Sequence, residues 1–471
     1  MKISYKILGL MVAFGAALLI AVLITPMNFL MLQAVILGVF FFFYFLFRDI
    51  TYGLVVWLLS LLFVMFTKVP LGMDMPNLSL DRGLYFFLAI YYFFHVITGK
   101  VSLSRRTVEI LMLVLCGVSV FSIVRMKGVS LSRDALDAYS LLFNTYVVPF
   151  FAFIIAKDFI NDKQKIRKLF IFLSFVLLYL SVTSIFEHFK LTSLLFPRDI
   201  MNPTMGIHFG RSRGPFLQAA INGTVLGMLS ITNLYMTINA RASHKIFFIV
   251  IAVLSPVAIF FTYTRATWLA FLAAFTFMLF LNRRFRKYIV FLILLGLILV
   301  IPLHLKIVDV ERLESRFYQV GPIYDRINLY NTYLAMFKDR PFLGFGFANF
   351  KSYSHEYFSR VKRDDPYNTS IPTIHDTFAG TLVELGSLGF LIFISILVLI
   401  FRKSLFLFKR LNREGFLSKG LVVVFWAAGI CYLLNAFFID IKYHQFHNVI
   451  FYLLGGIIVG LHERQIKCQS L

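Results

Sequence analysis

Continuous apolar runs separated by short polar turns fill most of this chain, and the pattern gives way at one place, between Lys306 and Ala379. A membrane crossing needs roughly 20 apolar residues. About fourteen stretches approach that length: 7–24, 29–47, 51–66, 82–98, 108–124, 139–156, 169–187, 216–239, 246–263, 265–282, 288–305, 380–401, 421–439 and 446–462. The closely joined pairs at 29–66 and 246–282 leave the count between about twelve and fourteen. The runs are unbroken and far longer than the roughly ten alternating residues of a barrel strand, so strands are disfavoured. The pattern predicts an all-α polytopic membrane protein, a single integral membrane domain over 1–471 with a long polar loop at 306–379. Within that loop Ile323, Ile327, Tyr330, Leu334 and Phe337 follow helical spacing, which predicts an amphipathic helix on the membrane surface ending before Pro341. Gly344 and Gly346 then permit a tight turn.

Composition agrees: of 471 residues 59% are hydrophobic, 57 of them Phe, and only 15% are charged, so a soluble globular class is excluded. The formal charge of +23 is explained by its distribution. With the N-terminus inside, alternate loops carry about 25 Lys and Arg against about 10 in the short loops of the other side, as positive-inside topology expects. The cytoplasmic set includes Arg106, Lys157 through Lys168, the 283–287 run and Arg402 through Lys419. Both termini are then cytoplasmic and the 306–379 loop is extracytoplasmic. Basic residues beside anionic headgroups account for most of the charge without nucleic acid. Met1 to Thr25 has the basic start and apolar run of a leader but no convincing cleavage site, and it is read as the first span. Cys116 and Cys431 fall inside spans and Cys468 in the inner tail, which leaves no disulfide across the outer loop.

The candidate chemistry sits at the outer face. Arg265, in Thr262-Tyr263-Thr264-Arg265-Ala266-Thr267-Trp268, lies at the outer end of two joined spans. A guanidinium there either snorkels to headgroups or clamps an anion, because it holds its charge and offers a planar fork to phosphate oxygens. Arg326 stands in the first turn of the amphipathic helix, where a local pair with Asp325 is the alternative to an anion ligand. His375, in Ile374-His375-Asp376-Thr377-Phe378, precedes the span at 380–401, and its ordinary pKa suits proton transfer near neutrality. Asp376 either orients that imidazole or, as preferred here, caps the following helix. Glu384, Gly386 and Gly389 open that span, with the glycines allowing close helix contact. Arg211 and Arg213 precede Gly214-Pro215-Phe216 and Asn222 and read equally as extra anion contacts or interfacial anchors. Asp364-Asp365 before Pro366 reads as a solvated turn, and His444 with His447 lacks the companions of a metal site. No GxxxxGK cradle is present, so ATP hydrolysis has no support.

Taken in order, Asp325-Arg326-Ile327, Arg340-Pro341-Phe342-Leu343-Gly344-Phe345-Gly346, Ile374-His375-Asp376-Thr377-Phe378 and Glu384-Leu385-Gly386-Ser387-Leu388-Gly389 resemble the signature of the O-antigen ligase and polymerase superfamily. The likeness runs from about Arg211 to Gly389 and departs from the family pattern at Asp376, where Asn is common. The resemblance implies a GT-C-like membrane glycosyltransferase of the bacterial cytoplasmic membrane, using a polyprenyl diphosphate-linked glycan as donor. It implies Arg265 and Arg326 as diphosphate ligands, with Arg211 and Arg213 as further candidates, and His375 as the base. No cofactor or metal is needed: the diphosphate is already a good leaving group, and direct displacement inverts the anomeric centre. The implied partners are the donor, a glycan or lipid A-core acceptor, membrane lipids and other polysaccharide-assembly proteins. A flippase of lipid-linked saccharides is the rival reading. It would more often show charged or broken-helix features at the midplane and an internal pseudo-repeat, and the sequence shows neither. Ligase and polymerase differ mainly in acceptor, and the short motifs do not separate them.

Overall fold

The computed structural model describes residues 49–63, 68–69, 78–101, 106–127, 133–281, 285–286, 321–361 and 375–469. The chain divides into two compact units, 1–57 and 58–471. Of the first, only 49–57 is described, and it opens helix α1 (Ile50–Leu62). The predicted spans at 7–24, 29–47 and 288–305 lie outside the described residues.

The other eleven predicted spans correspond to helices. After a two-residue antiparallel pair, Lys68–Val69 with Leu78–Ser79, come α2 (Leu80–Ile97), α3 (Thr107–Lys127) and α4 (Arg133–Leu142). A π-helical turn (Phe143–Val147) joins α4 to α5 (Val148–Phe159). The turn falls where Pro149 has no amide hydrogen for the helical ladder. There follow α6 (Lys163–His188), α7 (Ala219–Asn239), α8 (Ala242–Phe260) and α9 (Arg265–Leu281). In the outer loop lie α10 (Gly321–Asp339) and α11 (Phe350–Val361). The chain ends with α12 (Thr377–Arg410), α13 (Lys419–Phe438) and α14 (Gln445–Gln469). Eight spans are long and apolar enough to cross a membrane among the described residues, and Ile50–Leu62 and Arg265–Leu281 are shorter apolar helices. The chain is an all-α polytopic membrane protein.

The middle of the bundle is α7, surrounded by α6, α8, α9 and α13 and buried along residues 219–237. Its polar residues face neighbours that answer them: Asn233 Nδ2 donates to the Phe248 carbonyl at 2.9 Å, and Asn222 Nδ2 to Ser184 Oγ at 2.9 Å. The tightest helix pair is α5 with α14, where a Cβ added at Gly456 or Gly460 would stand 2.3 Å from the Phe153 or Lys157 carbonyl oxygen. Small residues four apart let two helices approach backbone to backbone where burial of apolar surface gives little drive.

Where α3 begins and α5 ends, the basic residues are not all headgroup anchors. Arg106 bonds Glu109 and Asp158, each at 2.9 Å. Lys157 bonds Glu109 and, at 3.0 Å, Glu463, which also meets Lys403 at 2.8 Å. This network ties α3, α5, α12 and α14 together, so part of the positive charge neutralises buried acids. Sequence charge counts alone assign it to lipid.

Candidate functional site

Arg265 is the first residue of α9, after a turn that the surrounding threonines hold in place. Thr262 Oγ1 donates to the Ile259 carbonyl at 2.7 Å, Thr264 Oγ1 to Thr262 at 3.0 Å and Thr267 Oγ1 to Thr264 at 2.8 Å. Between them buried Tyr263 takes φ 48°, a left-handed conformation uncommon for an aromatic residue and sustained only by surroundings that over-determine it. Trp268 Nε1 donates to Ile259 and its ring stacks on Phe260. The motif is a rigid corner with Arg265 exposed at its tip.

The predicted helix at 323–337 is α10, and it ends at Asp339 as the proline at 341 requires. Leu329, Tyr333 and Met336 pack inward with Phe345, Phe350 and Val383, while Ile327, Tyr330 and Leu334 of the predicted stripe are exposed on another face. Apolar residues occupy both faces, and the face that meets α11 and α12 wins the interior. Arg326, exposed near the start, projects its guanidinium over the Phe438 ring at 5.2 Å.

Partial burial lowers the Arg326 pKa, and the Arg265 charge lowers it further, so the two guanidinium groups lie within electrostatic reach across 61 positions of sequence. Burial and then the Arg326 charge also lower the His375 pKa from its ordinary 6.5, with Asp325 opposing them. His375 is held at its backbone: its amide donates to Tyr333 Oη at 3.1 Å. Asp376 takes the cap role. Its Oδ1 accepts from the amides of Phe378 at 2.7 Å and Ala379 at 3.0 Å, while Oδ2 accepts from Tyr330 Oη at 2.6 Å. Two tyrosines one turn apart on α10 thus fix the residue pair that starts α12, and the carboxylate raises the Tyr330 pKa to about 12 together with burial.

Arg213 parts company with this group. Arg213 is fully buried and its fork is spent on its own loop: Nη1 donates to Met205 at 2.6 Å, and Nη2 to Ile200 at 2.6 Å and Asn202 at 3.1 Å. Its Nε lies 3.7 Å from Glu187, whose other oxygen accepts the Arg213 and Gly214 amides. A guanidinium so engaged is a loop staple with no fork left for a diphosphate. Arg211 is half-buried, and its amide donates to His208 at 3.2 Å.

The two glycine-containing motifs meet each other. Phe345 and Gly346 donate backbone N–H groups to the carbonyls of Val383 and Glu384 at 2.9 and 2.8 Å, and Ser387 and Leu388 donate to Pro341 and Phe342 at 2.7 and 3.2 Å. The exchange is possible because α12 is broken at Gly386, with φ 66° and ψ −171°. A Cβ there would stand 2.2 Å from the Phe342 carbonyl oxygen. Gly386→Ala is therefore expected to cost about 3 kcal/mol or more. A thermal melt in detergent should drop by many degrees, whereas Ser387→Ala, which keeps the backbone donor, should melt like wild type; equal melts for both would refute a fixed break.

Glu384 has no partner near it in sequence, and the fold supplies one. Lys442, buried in the loop between α13 and α14, bonds Glu384 Oε2 at 2.8 Å, and Tyr443 Oη donates to the same carboxylate at 2.8 Å. Thr377 Oγ1 donates to the Ile439 carbonyl at 3.2 Å and accepts the Ile441 amide at 3.0 Å, so loop 439–444 is bolted to the start of α12. A lysine in a short outer loop and a glutamate at the start of a span were the available signals. A cavity of about 530 Å³ opens between these elements, lined by His375, Glu384, Asp440, Tyr443 and His444. No cluster suited to a metal occurs among the described residues.

A comparison with curated proteins returned no match. Residues 249–394 match the family model described as O-antigen ligase, a stretch that contains Arg265, Arg326 and His375 and stops short of the 439–444 loop. Over that stretch, less than half of its length, the chain is similar to the O-antigen ligase family.

Proposed function

We propose that this protein is a multi-pass glycosyltransferase of the bacterial cytoplasmic membrane that takes a polyprenyl diphosphate-linked glycan as donor and polymerises repeat units or ligates the glycan to an acceptor outside that membrane. What supports the reading is that Arg326 lies within electrostatic reach of both Arg265 and His375, all three inside the stretch that matches the O-antigen ligase model. Arg265 and Arg326 hold the diphosphate and neutralise the charge that grows on it as the glycosidic bond breaks. His375 takes the proton of the attacking acceptor hydroxyl. Its lowered pKa keeps it neutral, and so able to accept a proton, to a lower pH than an ordinary histidine. The matched O-antigen ligase domain supports a role in O-antigen assembly. Attack opposite the leaving diphosphate inverts the anomeric centre, and the residues named need no metal for it.

The test is incubation of the purified protein with undecaprenyl diphosphate-linked glycans, with and without lipid A-core. A ladder of products indicates a polymerase and a single transfer to lipid A-core a ligase. No new glycosidic bond with either, under conditions where undecaprenyl diphosphate binds, would instead support the flippase reading.

A further inference from the structure

Neither Arg265 nor Arg326 belongs to the cavity wall that His375 helps to form, and that wall has a different chemistry. It is enclosed by the loop before α7 on one side and loop 439–444 on the other, with Phe216 and Tyr443 supplying aromatic rings and Gln218, Lys351, Asp440 and His444 supplying hydrogen-bonding groups. About 530 Å³ is within the range of small-molecule sites. Asp440 Oδ1 lies 3.5 Å from Thr377 Oγ1 and 3.4 Å from the Lys442 amide, long contacts beside the start of α12 that leave the carboxylate free to accept shorter hydrogen bonds. Gln218 sits at the cap position of α7 yet its side chain makes no capping bond, so its amide is not spent on the helix.

The charges of the lining balance: Asp440 and Glu384 are set against Lys351 and the Lys442 that bonds Glu384. Such a chamber suits an uncharged, hydroxyl-rich molecule, whose C–H faces pack on aromatic rings and whose hydroxyls donate to carboxylate and amide oxygens. A base that takes a proton from an acceptor must reach the acceptor hydroxyl, and His375 is part of the cavity wall.

We propose that this cavity is the acceptor subsite, binding the hydroxyl-bearing end of a saccharide, with Asp440 and Gln218 as the positioning and specificity-determining residues. The inference rests on the glycosyl-transfer reading above. The acceptor hydroxyl oxygen, delivered from the cavity, forms the bond to the donor's anomeric carbon. The bond from that carbon to the diphosphate oxygen breaks, its electron pair leaves with the polyprenyl diphosphate, and the hydroxyl proton passes to His375. The saccharide end belongs either to a growing glycan or to a core oligosaccharide, both of which offer the same hydroxyl chemistry.

The experiment measures binding to the full-length protein in detergent with three probes: undecaprenyl diphosphate, a lipid-free repeat-unit oligosaccharide and a lipid-free core oligosaccharide, the last two prepared from the producing cells. Asp440→Asn and Gln218→Ala should each weaken one oligosaccharide by about tenfold, the loss of one good hydrogen bond, and change undecaprenyl diphosphate binding less than twofold. Arg265→Gln should do the reverse. Whichever oligosaccharide responds identifies the acceptor source. Should Asp440→Asn fail to fold, Gln218→Ala at the cavity rim carries the test alone. Unchanged oligosaccharide affinity in the cavity variants, or no oligosaccharide binding by wild type, overturns the subsite. Wild type that binds an oligosaccharide but not undecaprenyl diphosphate sinks the donor reading instead and leaves a saccharide site standing.

Discussion

Replacing His375 by Ala should reduce turnover by about 10² to 10⁴-fold, the usual contribution of a positioned general base. Undecaprenyl diphosphate should bind the variant nearly as well as wild type, because the anion contacts belong to Arg265 and Arg326. The fold should survive: the His375 contact to Tyr333 runs through the backbone amide, and the helix cap belongs to Asp376. The pH profile adds a second readout. Burial and the neighbouring Arg326 charge both disfavour the imidazolium, so the acidic limb of kcat/KM should fall below the ordinary histidine value of 6.5. Asp440, whose pKa burial raises to about 7, titrates nearby, so the limb should persist in Asp440→Asn if His375 is its source. Near-normal turnover of His375→Ala with saturating donor, or activity lost only through donor binding, would reassign His375 to substrate positioning.

Changing Arg265 and Arg326 together to Gln should abolish measurable transfer and weaken undecaprenyl diphosphate binding, with each single change costing about 10² to 10³-fold in turnover, as for one electrostatic donor to a developing anion. Lys at either place keeps the charge but loses the fork and should recover only part of the loss. A simple surface role predicts otherwise: removing two repelling cations would leave activity intact and raise the melting temperature. Normal glycan output from the double variant would remove the proposed diphosphate site.

The spans were legible because hydrocarbon demands continuous apolar length, and eleven of the predicted runs have helices over them. The Asp376 cap and the end of α10 before Pro341 were legible because both are local rules of backbone hydrogen bonding. The inward face of α10 was not, since Ile327, Tyr330 and Leu334 form as good a stripe as Leu329, Tyr333 and Met336, and only the docking partner decides. Arg213 had the sequence look of an anion ligand, but its partners are loop carbonyls, which no residue pattern marks. Lys442 lies 58 positions from Glu384, so their pairing depends on how α12 and α13 return the chain to one face. The wall opposite His375 stayed hidden for the same reason.

The break at Gly386 also bears on how the protein sits in bilayers of different thickness. An unbroken helix of the 34 residues of α12 would measure about 51 Å, well beyond a hydrocarbon core of about 30 Å, and would meet any mismatch by tilting as one rod. The 341–346 turn holds α12 on both sides of the break, through Val383 and Glu384 before it and Ser387 and Leu388 after it, and loop 439–444 holds its start at Thr377. A bilayer therefore meets two shorter rods joined at a set angle rather than one long rod that tilts as a unit.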